Sequence, residues 1–70
     1  MAEDLDQHLI GTIGYVTVPI DPVHPGEVLL PVRGGTEAYA AFADEPIAKH
    51  DRIVVVEARS ARSVSVTRCP

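Results

Sequence analysis

Short segments rich in β-branched residues recur along the chain, separated by glycine, proline or charged residues. They cover residues 11–18, 27–33, 36–43, 52–58 and 63–68. Their apolar and polar side chains mostly alternate with the period of two that a half-buried strand requires. Several short strands with turn signals between them are typical of a barrel or sandwich. The sequence therefore predicts a small all-β barrel of five strands without a long helix.

The length of the chain limits this barrel to one domain with a small core. Seventy residues bury little apolar surface, and the aromatic side chains are Tyr15, Tyr39 and Phe42. Aliphatic side chains must therefore fill most of the interior. We expect residues 9–68 to form the domain. Residues 1–8 are polar and acidic, and we expect them to be a flexible leader or the stub of a linker.

Glycine and proline within the segments predict bends and turns. Gly14 interrupts the first segment, which predicts a bend or a close approach of two backbones. Pro31 cannot donate a ladder hydrogen bond, so its strand is at an edge or bulged there. Gly34 and Gly35 predict a tight primed hairpin turn, because glycine accepts positive φ. The apolar run of residues 53–56 predicts a strand covered on both faces.

Alternation along each strand assigns side chains to its two faces. In the first strand Tyr15 is expected on one face, and Val16 and Val18 on the other. Tyr39 and Phe42 fall on opposite faces of the third strand. One of these two aromatic rings is therefore expected in the core and the other on the surface.

Charge is distributed unevenly along the chain. The net charge is −4; residues 1–48 hold eight acidic residues and one basic residue, whereas residues 49–70 hold five basic and two acidic residues. Nucleic-acid-binding proteins usually have an overall basic charge, so the acidic balance argues against that class. Three of the basic residues are Arg59, Arg62 and Arg68. They form either a candidate basic patch that binds an acidic partner or lipid headgroups, or an ordinary charged surface.

Acidic residues and histidines occur together at two places without forming a recognised catalytic or metal motif. Asp21 lies three residues before His24, and His50 precedes Asp51. Such residues are common in surface loops, so their proximity in sequence does not indicate a catalytic triad. The histidines lack the spacing of a zinc motif, and Cys69 is the single cysteine. We therefore expect no catalytic residue, no metal site, no cofactor and no enzymatic activity.

A series of short motifs spans about residues 9–67. It consists of Gly11-x-x-Gly14, Pro25-Gly26-Glu27-Val28, Tyr39-x-Ala41, Ile47, Ile53-x-Val55 and Val64-x-Val66. This series resembles the C-terminal soluble domain of the NfeD family, which implies a five-stranded Greek-key barrel of the OB-fold type. The family commonly has glycine at the position of His50, which implies a left-handed backbone there. It also often has glycine in the last turn, here Ser60 and Ala61.

The resemblance also implies a function and a cellular context. Short members of the family join transmembrane helices to this barrel and are commonly encoded beside stomatin-like (SPFH/prohibitin-type) proteins. We therefore expect a non-enzymatic adaptor domain that docks to a stomatin/SPFH-type partner. In the full-length context we expect it to be membrane-associated, with the soluble barrel on the cytoplasmic side. The alternative is an OB-fold module that binds single-stranded nucleic acid.

The second segment suggests where a partner would bind. If Val28, Leu30 and Val32 point inward, Leu29 and Pro31 emerge on the outer face. Exposed apolar residues on a small domain tend to mark a contact surface. The predicted partner surface therefore consists of Leu29, Pro31 and Phe42.

The stretch PIDPVHPGEV, residues 19–28, has prolines at a spacing of three residues. This spacing matches a ligand for a proline-reading domain, which would require an extended polyproline conformation. The resemblance, however, places its last four residues at the entry to the second strand. We therefore interpret the stretch as the first inter-strand loop, in which the prolines reduce the entropy lost on folding.

Overall fold

Five strands make up most of the computed structural model, which describes residues 9–70. They are β1 (Ile13–Val18), β2 (Gly26–Val32), β3 (Gly35–Phe42), β4 (Arg52–Ser60) and β5 (Ser63–Arg68). The all-β class predicted from the strand periodicity is confirmed. The leader predicted for residues 1–8 lies outside the described residues.

The strands close into a barrel in the order β1-β2-β3-β5-β4. Neighbouring strands are antiparallel except β3 and β5, which pair in parallel through residues 40–42 and 63–65. The barrel closes where residues 13–15 of β1 pair with residues 52–54 of β4. This five-stranded Greek-key order is that of the OB-fold, as the resemblance implied.

The core consists of aliphatic side chains from all five strands together with residues from the connections. Leu9, Ile20 and Ile47 come from the connecting segments, and Ile20 and Ile47 form an isolated bridge that ties two loops together. The other buried apolar residues are Val16, Val28, Leu30, Tyr39, Ala41, Ile53, Val55, Val64 and Val66. Aliphatic residues therefore fill the interior, as the composition predicted.

Two glycines allow backbones to approach more closely than any side chain would permit. A Cβ atom at Gly14 would collide with the carbonyl oxygen of Leu29 and would lie 2.7 Å from Cδ2 of Leu30. A Cβ atom at Gly26 would collide with the carbonyl oxygen of Val18 and would lie 2.7 Å from Cγ1 of Ile20. The close approach predicted at Gly14 is confirmed.

The turn between β2 and β3 lies one residue earlier than predicted. Val32 pairs with Gly35, so the two-residue loop is Arg33-Gly34 and not Gly34-Gly35. Both loop residues have positive φ, 31° at Arg33 and 79° at Gly34, as a primed hairpin turn requires. The register of the β2–β3 ladder decides this position, and an arginine therefore occupies a conformation that favours glycine.

The turn before β4 has the left-handed residue that the resemblance to the NfeD family implied. His50 has a φ of 78°. The N–H of Asp51 donates to the carbonyl oxygen of Ala48 at 3.1 Å, which makes His50 the third residue of a β-turn. Positive φ at that position is characteristic of a type II turn, in which glycine is preferred. The turn is joined to β1 because the His50 N–H donates to the Val16 carbonyl oxygen at 2.8 Å.

The last turn does not need the glycine that the family often has. Ser60 pairs with Ser63, so Ala61 and Arg62 form the loop, and neither has positive φ. The Ser60 hydroxyl lies 2.7 Å from the Ser63 hydroxyl and accepts the Arg62 N–H at 3.3 Å. Ordinary residues therefore suffice here.

Two predictions about strand faces are wrong, and in both cases the pairing register shifts. Val18 is 48% exposed, although it was expected to share a face with buried Val16, because the β1–β2 register shifts between these two residues. Val56 is 51% exposed, and the β4–β5 register shifts between Val55 and Glu57. The run of residues 53–56 is therefore not covered on both faces over its whole length.

Pro31 occupies an edge position, as predicted. It pairs with Thr36 of β3, whereas the β1–β2 ladder runs only from Glu27 to Leu29 on the β2 side. The missing N–H of Pro31 therefore costs no hydrogen bond to β1.

Candidate functional site

Apolar side chains from three neighbouring strands form an exposed area on the outside of the barrel. We call this area the outer apolar patch, and it consists of Ile13, Tyr15, Leu29, Pro31 and Val54. Tyr15 pairs with Leu29 of β2, and Ile13 pairs with Val54 of β4. Tyr15 is 57% exposed and Ile13 is 48% exposed. Cross-strand neighbours of this kind contact one another and present one continuous face.

Local alternation explains why this face points outward. Gly14 and Val16 are buried, so Ile13 and Tyr15 must lie on the opposite side of β1. In the same way Val28 and Leu30 are buried, which turns Leu29 outward to a half-buried position and leaves Pro31 exposed. The sequence interpretation included Leu29 and Pro31 but missed the β1 and β4 members of the patch. Alternation was the signal in the sequence for the β1 members, since Ile13 and Tyr15 lie on the face of β1 opposite Val16.

The border of the patch differs on its two sides. Arg52 pairs with Tyr15 on the β4 side, and its Nη2 lies 3.9 Å from the Cys69 sulfur. Ala38 pairs with Leu29 on the β3 side. The patch therefore has one cationic border and one small, apolar border.

A second apolar feature surrounds Phe42 at the other end of β3. Phe42 faces outward and is partly exposed, whereas Tyr39 is buried, so the prediction that the two rings lie on opposite faces is confirmed. The Arg59 guanidinium lies 4.1 Å from the centre of the Phe42 ring. A groove of about 550 Å³, which we call the loop groove, opens beside this pair. Its apolar lining comes from Pro22, Val23, Pro25, Phe42, Ala43 and Val56.

The predicted partner surface is divided between these two features. Leu29 and Pro31 belong to the outer apolar patch, and Phe42 belongs to the loop groove. Leu29 pairs with Ala38, and Phe42 lies four residues further along β3. At the usual strand rise this separation is about 13 Å.

The three arginines of the predicted basic patch lie at two places. Arg59 lies near the end of β4, and Arg62 is in the β4–β5 turn. Arg68 lies at the far end of β5, about 20 Å away at the usual strand rise. Its Nε is 3.9 Å from the Asp51 carboxylate. The structure thus brings two of the three close to one turn.

The sequence of the barrel matches one known family. Residues 13–67 match the family model of the NfeD C-terminal domain. The chain belongs to this family. No curated protein matches the chain.

Two solved structures of NfeD domains are similar to this chain over nearly its whole length. One is the C-terminal domain of stomatin operon partner protein 1510-C from Pyrococcus horikoshii, with 25% identity and a TM-score of 0.74 over 93% of this chain and 94% of that one. The other is the soluble domain of the NfeD protein YuaF from Bacillus subtilis, with 28% identity and a TM-score of 0.78 over 96% of this chain and 80% of that one. Within residues 9–70, no helix has the length and apolar character needed to cross a membrane.

The motif residues on which the resemblance to the NfeD family rests lie mainly inside the barrel. Those that are buried are Gly14, Val28, Tyr39, Ala41, Ile47, Ile53, Val55, Val64 and Val66. They specify the fold, because they fill the core or allow strands to approach. The outer apolar patch is therefore built from positions outside these motifs, whereas the loop groove takes Pro25 and Val66 from them.

The two pairs of an acidic residue and a histidine singled out in the sequence, Asp21 with His24 and His50 with Asp51, lie in the connections before β2 and β4. His24 Nδ1 is 3.2 Å from Asp21 Oδ2, and the two side chains are 78% and 43% exposed. Backbone N–H groups of His24 and Val23 donate to the Asp21 carboxylate and lower its pKa below the usual 3.8. Among residues 9–70, no group of three or more histidine, cysteine or acidic side chains is placed to hold a metal ion.

Proposed function

We propose that this NfeD C-terminal domain is a non-enzymatic adaptor that docks to a protein partner through the outer apolar patch. The observation that supports this most directly is the exposure of Ile13 and Tyr15 beside Leu29 at the centre of a rigid sheet. Contiguous exposed apolar residues on a small domain tend to mark an interaction surface.

The composition of the patch suits a protein ligand. Tyrosine is enriched at interfaces because its ring provides a large apolar contact while its hydroxyl still hydrogen-bonds at the border. Ile13 and Tyr15 lie on a strand paired on both sides, so little backbone order has to be gained on binding. A preformed surface of this kind docks without an additional cost for ordering its backbone.

We further propose that the partner is a stomatin/SPFH-type protein at a membrane, reached from the cytoplasmic side. The support is that a structural relative is itself described as a stomatin operon partner protein. In this proposal the membrane association comes from the partner and from the context of the full-length protein, and the barrel supplies only the docking surface.

Nucleic-acid binding is disfavoured by the surface of the barrel. The loop groove contains three carboxylates, from Asp21, Asp44 and Glu57, which would repel phosphates. Single-strand binding by OB-folds usually depends on several stacking rings in a basic groove. On the outer apolar patch the one aromatic ring is that of Tyr15.

The test compares two exposed positions on the same strand. Ile13→Ser removes an apolar side chain from the patch, and Val18→Ser removes one of equal exposure, 48%, outside it. Binding of each variant to a purified stomatin-like protein from the same organism is measured by biolayer interferometry, with circular dichroism as a check of folding. We expect Ile13→Ser alone to weaken binding about threefold, and Ile13→Ser combined with Tyr15→Ser to weaken it at least tenfold, or about 1.4 kcal/mol. Val18→Ser should change it less than twofold.

Two outcomes would contradict the proposal. Binding of the patch double variant within twofold of the parent would show that the patch is not the docking surface. Salt-sensitive binding of a single-stranded oligonucleotide, lost in the same double variant, would instead assign the patch to nucleic acid.

A further inference from the structure

The loop groove is bordered by the first inter-strand loop and is lined by both apolar and charged side chains. Val23 is 78% exposed and Val56 is 51% exposed, and both line the groove with the partly exposed ring of Phe42. Neither valine contributes to the core, so the packing of the barrel does not explain the apolar surface that they expose in the groove. At about 550 Å³ it can accept one or two side chains of a ligand.

The wall formed by the first inter-strand loop is held rigidly. The Asp21 carboxylate accepts the N–H of Val23 at 2.7 Å and that of His24 at 2.8 Å, and the Asp21 N–H donates to the His24 carbonyl oxygen at 3.0 Å. Pro22 and Pro25 restrict the backbone on either side of this turn. Because the loop is ordered in advance, a ligand does not have to order it on binding.

The charge of the groove defines the chemistry of its ligand. Its acidic groups are Asp21, Asp44 and Glu57, and its basic group is Arg59, which gives 1 − 3 = −2. Arg59 is already engaged, because its guanidinium covers the Phe42 ring and its Nη1 donates to the Ser65 hydroxyl at 3.4 Å. Within residues 9–70, by contrast, the Asp44 carboxylate has no hydrogen-bond or ion-pair partner.

We propose that the loop groove binds an extended segment of a partner protein in which a bulky aliphatic side chain adjoins lysine or arginine. The aliphatic side chain packs against Val23, Phe42 and Val56, and the cation pairs with the Asp44 carboxylate. This site is separate from the outer apolar patch, and it does not depend on that patch binding a stomatin-type protein. It also gives the proline-rich loop a role, as the rigid wall of a binding groove.

The test is an NMR titration of the ¹⁵N-labelled chain with two blocked tetrapeptides, acetyl-Lys-Leu-Val-Lys-amide and acetyl-Glu-Leu-Val-Glu-amide. The lysine peptide should give saturable shifts of the backbone amides of Val23, Phe42 and Val56, and the glutamate peptide should give none. Asp44→Asn should weaken binding of the lysine peptide about fivefold, the upper range for an exposed ion pair. Glu37→Gln removes an acidic group outside the groove and should leave that affinity unchanged.

Three results would overturn the proposal. Equal shifts with both peptides would show that charge does not select the ligand. Saturable shifts confined to Tyr15 and Leu29 would place the binding site on the outer apolar patch. Equal effects of Asp44→Asn and Glu37→Gln would show a general charge attraction and not a specific site. Val23→Ala is an independent check, since it should weaken binding severalfold without lowering the melting temperature.

Discussion

Replacing Gly14 by alanine should test how closely β1 and β2 approach each other. The new Cβ would lie 2.7 Å from Cδ2 of Leu30 and still closer to the Leu29 carbonyl oxygen. The favourable separation of two carbon atoms is about 3.5–4.0 Å, so the strands must separate by about 1 Å. Because one of the opposing atoms is backbone, the β1–β2 ladder itself has to move.

Two opposing effects determine how much Gly14→Ala changes the free energy of unfolding. Overpacking of this kind costs about 1–3 kcal/mol, and a displaced backbone places Gly14→Ala at the upper end. The lower entropy of the unfolded alanine chain offsets about 0.4–1 kcal/mol. We therefore expect a net loss of about 2 kcal/mol out of the total of about 3–10 kcal/mol typical of a 70-residue domain. The melting temperature should fall by about 10 °C.

Gly35→Ala is the matched control for this experiment. It is the same substitution at the start of a strand, but the nearest heavy atom to its Cβ is the Val32 carbonyl oxygen at 4.0 Å. With no steric term, alanine should stabilise the fold by about 0.5 kcal/mol. Urea unfolding followed by circular dichroism measures both variants. The steric reasoning is refuted if Gly14→Ala lies within 0.5 kcal/mol of the parent, on the order of the precision of such data, or if both variants shift equally.

Three further predictions concern single residues. His50→Gly should stabilise the fold by about 0.5–1 kcal/mol in urea unfolding, because glycine adopts positive φ without strain; a destabilised variant would contradict this. Burial, and to a smaller extent the nearby Glu37 carboxylate, raises the pKa of Tyr39 above 10.0 in the folded state. The tyrosine therefore ionises first in the unfolded chain, and the stability of the fold should decrease as pH rises above 10. Tyr39→Phe should lose less stability than the parent between pH 9 and 11, and an equal loss would exclude this cause. Backbone hydrogen bonds lower the pKa of Asp21 in the folded state, so its ionised carboxylate stabilises the loop above pH 3.8, and this stabilisation is lost as pH falls through the folded pKa. Asp21→Asn should therefore flatten the acid limb of the plot of melting temperature against pH, whereas an unchanged limb would assign that limb to other carboxylates.

Features that depend on local chemistry could be predicted from the sequence. Gly14 marked a close approach because only glycine lacks a Cβ, and the parity of Tyr39 and Phe42 follows from the period of a strand. The left-handed backbone at His50 needed only the chemistry of one turn together with the family pattern. In each case the information lies within a few residues.

Features that depend on a partner strand could not be predicted. The exposure of Val18 results from a register shift against β2, which nothing in the β1 sequence specifies. Arg33 lies in the turn because the β2–β3 pairing fixes the register there. The loop groove has the same origin, since it joins a loop to strands that are distant in sequence. Periodicity assigned Leu29 and Phe42 to outer faces but could not show that they lie at different sites.

The short parallel ladder between β3 and β5 has a consequence for the kinetics of the barrel. It joins residues 40–42 to residues 63–65, whereas the β2–β3 and β4–β5 hairpins join near neighbours. Hairpins form within about 1–10 μs, but contacts between segments that are distant in sequence form more slowly. If this ladder forms after the transition state, Ala41→Gly should speed unfolding and leave folding nearly unchanged in stopped-flow measurements, and a slowed folding rate would place the ladder in the nucleus. These three residue pairs would then affect the rate at which the barrel unfolds more than the rate at which it folds.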